Sequence, residues 1–287
     1  MTRRFVFSPG AVAELASRDV ARALAEDVGE GDLTAALVAE ASRMRARILA
    51  RESAVICGQP WVEEVFRQVD ASIAVEWKVA EGARCEKDEI VLEAEGPARS
   101  LLTAERTVLN FLQLLSGVAT KTATYAQVVE GTRAKIVDTR KTLPGLRLAQ
   151  KYAVRIGGGV NHRIGLYDAV LIKENHIASA GGIAAVMKAV QQAAPDAEFV
   201  ELEVETLAQL REGLDAGAKM VLLDNMDLPS LREAVRINAG RAILEISGGV
   251  TMDTLRTLAE TGVDRISIGT LTKDVKAIDF SMRLKEI

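Results

Sequence analysis

The first part of the chain mixes helical and strand patterns. Residues 11–28 carry apolar side chains at helical spacing, and Thr103 to Ala119 is a strongly apolar helical stretch. Period-two or short apolar runs between them predict strands, and one more amphipathic run predicts a helix. The strands are expected within 45–56 (broken at Glu52-Ser53), 73–79 and 90–94, and the helix over 60–69. This order predicts an α+β domain.

Beyond Gly131, short apolar runs alternate regularly with helical patterns. The predicted strands are 135–137, 169–172, 199–204, 220–223, 243–246 and 266–268, and the predicted helices are 183–194, 206–216, 228–237 and 252–260. Such alternation indicates a parallel sheet, and polar residues collected at the strand ends are typical of the catalytic face of a barrel. Six strands are visible where a complete barrel has eight. We therefore predict an incomplete α/β barrel of six or seven strands.

Composition narrows the class of protein. The chain has 287 residues, 48% of them hydrophobic and 26% charged, with a net charge of −4. These values are typical of a soluble globular protein, and they argue against nucleic-acid or membrane partners. The amino terminus lacks the long apolar core of a signal peptide. Cys57 and Cys85 have no metal-ligand or pairing pattern, which indicates buried thiols in a reducing compartment. We expect a cytoplasmic protein.

The stretch from Asp138 to His176 is the richest in chemical groups. It contains both histidines of the chain and seven lysines and arginines, against three acidic residues, and it is interrupted by three consecutive glycines at 157–159. Cations and accessible backbone N–H groups suit phosphate and carboxylate ligands. The stretch therefore predicts a site for a small, multiply charged anion.

The later strands end in groups that complement such a site. Glu203 and Asp224 stand at the ends of neighbouring strands, and carboxylates are suitable ligands for Mg²⁺. Ser247-Gly248-Gly249 opens a helix, and Gly269-Thr270 follows the last strand. Loops at these positions in barrels often bind phosphate. From the residues alone, we expect Mg²⁺-assisted handling of a phosphorylated sugar beside a carboxylated ligand.

Several identities at fixed offsets resemble the quinolinate phosphoribosyltransferase family. The matching segments are Asp138-Thr139-Arg140-Lys141-Thr142, Pro144-Gly145-Leu146-Arg147, Gly157-Gly158-Gly159, His162-Arg163, Gly165-Leu166-Tyr167-Asp168 and Leu171-Ile172-Lys173. The resemblance implies an N-terminal α+β domain of the open-faced sandwich type over residues 1–116 and an incomplete α/β barrel over 117–270. We predict that the tail, 271–287, packs back on the N-terminal domain and that Val275 to Ile287 forms an amphipathic helix.

The resemblance also implies an activity and a set of roles. Family members convert quinolinate and phosphoribosyl pyrophosphate to nicotinate mononucleotide, pyrophosphate and CO₂, in NAD biosynthesis. By matching positions, the quinolinate-binding residues would be Arg106, Thr139, Arg140, His162 and Arg163. Catalytic groups would be Lys141, Lys173, Glu203 and Asp224, the last two holding Mg²⁺. Phosphoribosyl pyrophosphate would be bound by Lys141, Lys173, Ser247, Gly248, Gly249, Gly269 and Thr270.

The same resemblance implies how the protein assembles. It implies a homodimer in which Arg106 enters the neighbouring subunit's site, with further association of dimers left open. Lys273 stands where many family members have histidine, which puts a role for that position in doubt.

Two alternative functions remain compatible with the sequence. One is a protein of the same fold acting on another small anion, as in relatives linked to molybdate transport. The other is a non-catalytic sensor that binds phosphosugars.

Overall fold

A computed structural model describes residues 5–287, so residues 1–4 of the predicted N-terminal domain lie outside the described residues. Contacts divide the described chain into two compact units. The N-terminal unit comprises Val6–Ala123, Thr142–Gly158 and Leu271–Ile287, and the barrel unit comprises Thr124–Lys141 and Gly159–Thr270. Among the described helices, none combines the length and apolar character needed to cross a membrane.

The helices and strands follow one another in a mixed order up to the long third helix. These elements are α1 (Pro9–Asp27), β1 (Arg43–Ala50), β2 (Ala54–Val55), α2 (Gln59–Val69), β3 (Ala74–Trp77), β4 (Arg84–Cys85), β5 (Ile90–Pro97) and α3 (Ala98–Val128). The remainder are β6 (Lys135–Val137), α4 (Arg147–Ile156), β7 (Val170–Ile172), α5 (Glu174–Ala180), α6 (Ile183–Ala193), β8 (Val200–Val204), α7 (Leu207–Asp215), β9 (Met220–Asp224), α8 (Leu228–Asn238), β10 (Ile243–Ser247), α9 (Met252–Ala259), β11 (Arg265–Ser267), α10 (Thr270–Lys273) and β12 (Phe280–Glu286).

The N-terminal unit is built on an antiparallel sheet with strand order β12-β1-β5-β3. Ile48 of β1 is fully buried, whereas Arg47 on the opposite face pairs with Glu93 of β5 at 2.7 Å between Nε and Oε1. Arg47 and Glu93 are also direct cross-strand partners in the register. One face of the sheet is therefore buried and the other carries charged pairs, which is the pattern of an open-faced α+β sandwich.

The tail was predicted to be a helix, and this prediction is wrong. Residues 280–286 form β12, which pairs antiparallel with β1, placing Met282 opposite Ile48. Phe280 and Met282 are buried while Arg283 is exposed. This short alternation fits a strand, and β1 provides the edge with which it pairs.

Two of the three glycines that the sequence suggested for an anion site have local structural roles at the end of α4. A Cβ on Gly157 would lie 2.4 Å from the carbonyl oxygen of Ala119 in α3, so only glycine allows the end of α4 to approach this closely. Gly158 follows with φ of +85°, a left-handed conformation in which glycine carries no steric penalty. Arg147, Lys151 and Arg155 lie in α4, within the N-terminal unit.

The barrel unit contains a parallel sheet of six strands in the described chain, ordered β6-β11-β10-β9-β8-β7. Strands β7 to β11 pair in the order in which they follow along the chain, and β6 pairs with β11. Because β6 and β7 do not pair, the barrel is open between them. Val160 makes a single parallel bridge to Val137 beside β6. The predicted incomplete barrel is confirmed, and this bridge is a rudimentary seventh strand next to the gap.

Candidate active site

A cleft opens at the carboxyl ends of the parallel strands, where the sequence predicted a catalytic face. Its volume is about 240 Å³, and every lining residue belongs to the barrel unit. The lining residues are Thr139, Arg140, Lys141, His162, Arg163, Leu171, Lys173, Glu203, Leu222, Glu245, Ser247 and Ser267. Larger cavities of about 430 and 510 Å³ occur in the N-terminal unit, so the charges rather than the volume distinguish this cleft.

The acidic side of the cleft is formed where β7, β8 and β9 end. Lys173, the residue after β7, pairs with Glu203 of β8 at 2.5 Å between Nζ and Oε2. Asp224 is the last residue of β9, and burial, followed by the charge of Glu203, raises the pKa of its carboxyl group. Two carboxylates that repel each other favour the binding of a cation nearby. Their oxygen atoms are the kind that Mg²⁺ prefers, so the two residues fit such an ion.

The basic side of the cleft follows β6 and the rudimentary strand at Val160. Burial and then the charge of Arg140 lower the pKa of Arg163, which shows that the two guanidinium groups influence each other. Such a pair of like charges, with Arg163 buried and Arg140 half-buried, favours an anion between them. Lys141 reaches the same cleft, and its backbone N–H donates to Thr139 Oγ1 at 3.1 Å. A Cβ on Gly269 would lie 3.0 Å from Lys141 Cδ, so glycine leaves room for the lysine chain.

Asp138 holds the basic segment in place. It is fully buried, and its carboxylate accepts hydrogen bonds from Asn161 Nδ2 at 2.7 Å and from the His162 backbone N–H at 2.8 Å. These bonds join the end of β6 to residues 161–163, although the chain between them enters the N-terminal unit. Arg140 and Arg163 are therefore fixed on the same side of the cleft by a carboxylate that does not itself line it.

Beneath the cleft lies a buried polar layer that the sequence did not reveal. His162 Nε2 lies 2.7 Å from Glu201 Oε2, and Glu245 Oε2 accepts from Arg265 Nε at 2.7 Å. His162 Nδ1 accepts the backbone N–H of Arg163 at 2.7 Å, so the ring proton stands on Nε2 and is donated to Glu201. Burial raises the pKa of Glu201 to about 7 and raises that of Glu245 as well.

A period-two pattern could have indicated this layer. Glu201, Glu245 and Arg265 each stand two residues before a cleft residue, respectively Glu203, Ser247 and Ser267. Residues two apart on a strand share a face, so the three point into the barrel one layer below, and Glu245 also borders the floor of the cleft. Two buried glutamates and the half-buried Arg265 replace the branched apolar side chains that usually fill such barrels.

The predicted phosphate-binding loops lie at the ends of β10 and β11. Gly248 and Gly249 have φ of +94° and +60°, so both positions need the left-handed conformation that glycine tolerates. Ser247 lines the cleft directly. Thr270 begins the four-residue helix α10 immediately after Gly269. The loops therefore place small residues and backbone groups around the cleft, as a phosphate site requires.

Arg106 is the predicted site residue that lies outside the barrel unit. Asp224, Gly248, Gly249, Gly269 and Thr270 belong to the barrel unit but are not among the residues that line the cleft. Arg106 lies on α3, is exposed, and lines a separate cavity of the N-terminal unit of about 440 Å³ with Asp27 and Asp32. Thr103, one turn earlier, donates from Oγ1 to Asp32 Oδ2 at 2.9 Å.

Comparison with known proteins agrees with the geometry. Residues 32–116 match the N-terminal domain of quinolinate phosphoribosyl transferase, and residues 118–283 match its C-terminal domain. A carboxylating nicotinate-nucleotide pyrophosphorylase of Mycobacterium leprae is 42% identical, covering 94% of this chain and 97% of the relative. A probable one from Bacillus subtilis is 41% identical, covering 90% and 89%. The structure of nicotinate-nucleotide pyrophosphorylase from Francisella tularensis matches with a TM-score of 0.92 and 42% identity, covering 99% of both chains. The chain therefore belongs to the quinolinate phosphoribosyltransferase family.

Proposed function

We propose that the barrel cleft carries out the reaction for which the family is named. Quinolinate and phosphoribosyl pyrophosphate are converted to nicotinate mononucleotide, pyrophosphate and CO₂. The observation that carries this assignment is the meeting of two arginines with the Lys173–Glu203 pair in one cleft at the carboxyl ends of the strands. A dicarboxylate and a phosphorylated sugar need opposite charges in one place, and this cleft supplies both.

Quinolinate is assigned to the basic side. Arg140 and Arg163 line the cleft together and can form charge-assisted hydrogen bonds with the two carboxylates. Thr139 adds a hydroxyl beside them. His162 contributes by fixing the segment that carries Arg163, because its ring nitrogens already bond within the protein. Arg106 is assigned to the same substrate in the partner subunit of a homodimer, which gives the basic side a third guanidinium.

Phosphoribosyl pyrophosphate is assigned to the remaining cleft. Ser247, Gly248, Gly249, Gly269 and Thr270 form the loops proposed for the 5′-phosphate. Lys141 and Lys173 are proposed to hold the pyrophosphate group through their ammonium charges. Glu203 and Asp224 are proposed to hold Mg²⁺, which would neutralise charge on the departing pyrophosphate.

The residues then act on each step by position and charge. The pyridine nitrogen attacks the anomeric carbon as the bond to pyrophosphate breaks, and nearby carboxylates stabilise the oxocarbenium character of the ribose in this transition state. The lysines hold the leaving group as its negative charge grows. Once the ring nitrogen is alkylated, its positive charge stabilises the carbanion left when the adjacent C–CO₂ bond breaks, and a proton replaces the lost carboxylate.

The test uses the purified protein, phosphoribosyl pyrophosphate and Mg²⁺, first with quinolinate and then with nicotinate. We expect CO₂ and nicotinate mononucleotide from quinolinate. With nicotinate, a guanidinium group is left without its carboxylate, so kcat/KM should be lower by at least about tenfold. Comparable efficiency on the two pyridines would contradict the dicarboxylate assignment. Binding of phosphoribosyl pyrophosphate without turnover of either pyridine would indicate the non-catalytic sensor.

We also propose that the protein works in the cytoplasm. Cys57 and Cys85 are both buried and both free, and burial raises the pKa of each thiol. Protonated buried thiols are inert and suit a reducing compartment. Localisation of a tagged full-length chain by cell fractionation tests this.

A further inference from the structure

Asn225 follows Asp224 at the end of β9 and has a backbone conformation that is unusual for a residue with a side chain. Its φ is +52°, in the left-handed region where asparagine is tolerated better than most residues. Its backbone N–H donates to the carbonyl oxygen of Ser247 at 3.1 Å. Ser247 and Asp224 are the last registered pair between β10 and β9, so this bond extends the strand pairing into the two loops.

The side chain of Asn225 contacts both loops. Its Nδ2 donates to Asp224 Oδ2 at 2.8 Å. Its Oδ1 faces Gly248, where a Cβ would lie only 2.1 Å from that oxygen. The orientation of the amide is set by chemistry, because an ionised carboxylate only accepts hydrogen bonds and therefore requires the NH₂ group. The oxygen must then point to Gly248.

Asn225 is solvent-exposed, so hydrophobic burial does not explain its place there. It lies between two groups for which we propose different ligands, the Asp224 carboxylate for Mg²⁺ and the Ser247-Gly248-Gly249 loop for the 5′-phosphate. A displacement of either loop breaks a contact of the same amide. Resting on the proposed function, we infer that Asn225 is a positioning residue, which holds the Asp224 carboxylate in register with the loop that binds the sugar 5′-phosphate.

Two substitutions at Asn225 change the side-chain amide while keeping the left-handed backbone conformation. Asn225→Gly keeps the left-handed conformation and deletes the amide. Asn225→Asp keeps the size and still tolerates the left-handed region, but it places an oxygen against the Asp224 carboxylate. Ala239→Gly is the matched control, because Ala239 is also exposed, has φ of +45° and caps α8 outside the cleft. It relieves the same backbone strain without touching either loop.

We expect both Asn225 variants to lower kcat/KM for phosphoribosyl pyrophosphate by about ten- to a hundredfold, which is the effect of losing a hydrogen bond to a charged group. Asn225→Asp should be the more damaged because of charge repulsion. The KM for quinolinate should stay within about twofold of wild type, and Ala239→Gly should match wild type throughout. Thermal melts identify any variant that loses activity by unfolding.

A second measurement does not depend on turnover. Calorimetric titration of ribose 5-phosphate in the presence of EDTA reports on the phosphate loop without metal. We expect about three- to tenfold weaker binding in Asn225→Gly than in Ala239→Gly, since the amide no longer supports Gly248. An Asn225→Gly protein equal to wild type in both kinetics and binding overturns the inference. An inactive wild-type protein would instead overturn the proposed function.

Discussion

At the scale of single residues, the cleft contains pairs of like charges that repel each other at close range. The charge of Glu203 contributes to raising the pKa of Asp224, and the charge of Arg140 contributes to lowering the pKa of Arg163. Each pair is more favourable once a ligand of opposite charge arrives. The cleft is therefore preorganised for charged ligands, which we propose to be the substrates and Mg²⁺, at some cost to the stability of the free protein.

Asp224→Asn tests the acidic pair. The substitution keeps the shape and removes the charge, so turnover at saturating Mg²⁺ should fall by about 10²-fold or more while the melting temperature is nearly unchanged. Asp227→Asn is a suitable control, because Asp227 caps α8 through Ser230 and asparagine caps equally well. Near-normal turnover in Asp224→Asn would remove that residue from the mechanism.

Glu201 should make stability depend on pH. Its pKa in the folded protein is about 7, above its ordinary value of 4.5, so the folded state holds the proton more tightly than the unfolded state. Its contribution to stability is thus complete below pH 4.5 and is lost as pH rises through 7. Glu201→Gln cannot ionise and can still accept from His162.

The stability advantage of Glu201→Gln over wild type should accordingly grow from near zero at pH 4.5 to about 3 kcal/mol above pH 8. Denaturant unfolding across this pH range measures it. Glu205→Gln, at an exposed position two residues on, should show no such trend. An advantage for Glu201→Gln that is constant with pH would show that its carboxyl group does not titrate in this window.

At the scale of elements, the strands of the barrel were the most predictable part. Each strand is buried by the helices that alternate with it, so the strands are mostly apolar and end sharply at Asp224, Ser247 and similar residues. Those end residues could be assigned to one edge of the sheet because parallel strands present their carboxyl ends together.

Other elements could not be predicted, because their positions depend on distant partners. β12 is a strand because β1 offers it an edge, and nothing near residue 280 in the chain shows this. The polar layer of Glu201, Glu245 and Arg265 is formed by side chains from three different strands, β8, β10 and β11, which the sheet brings together inside the barrel. The glycines at 157–159 resemble an anion site in isolation, but Ala119 in α3 explains why Gly157 lacks a side chain.

Met282→Ala tests the contribution of β12. Met282 is buried on the same side as Ile48, so its truncation should lower the free energy of unfolding by about 2 kcal/mol. Arg283→Ala, on the exposed side of the same strand, should change it by less than about 0.5 kcal/mol. Chemical denaturation of the two variants and wild type provides the measurement, and equal stability would mean that β12 contributes little to the unit.

At the scale of the whole molecule, the proposed homodimer gives a sharp test of Arg106. If Arg106 acts in the partner's cleft, Arg106→Ala and Lys141→Ala should each nearly abolish activity. In a heterodimer of the two, one site would collect both defects and the other neither, restoring up to about half the sites by symmetry. Subunit exchange followed by purification of doubly tagged heterodimers measures this.

The control for that experiment is the double variant exchanged with wild type. If Arg106 crosses between subunits, every site in this second heterodimer carries one defect and activity is lost. If Arg106 serves its own subunit, the second heterodimer keeps one intact site and the first keeps none. The two arrangements therefore predict opposite results from the same pair of preparations.

The position of β12 also has a consequence during synthesis. β1 emerges from the ribosome early and gains β5 on one side soon afterwards, but its other edge has no partner until residues 280–286 have been translated. An open strand edge in a nascent chain is a template for intermolecular pairing. The N-terminal sheet is therefore completed only after the whole barrel unit has been made, so we expect the unfinished chain to be a client of chaperones that cover exposed strands.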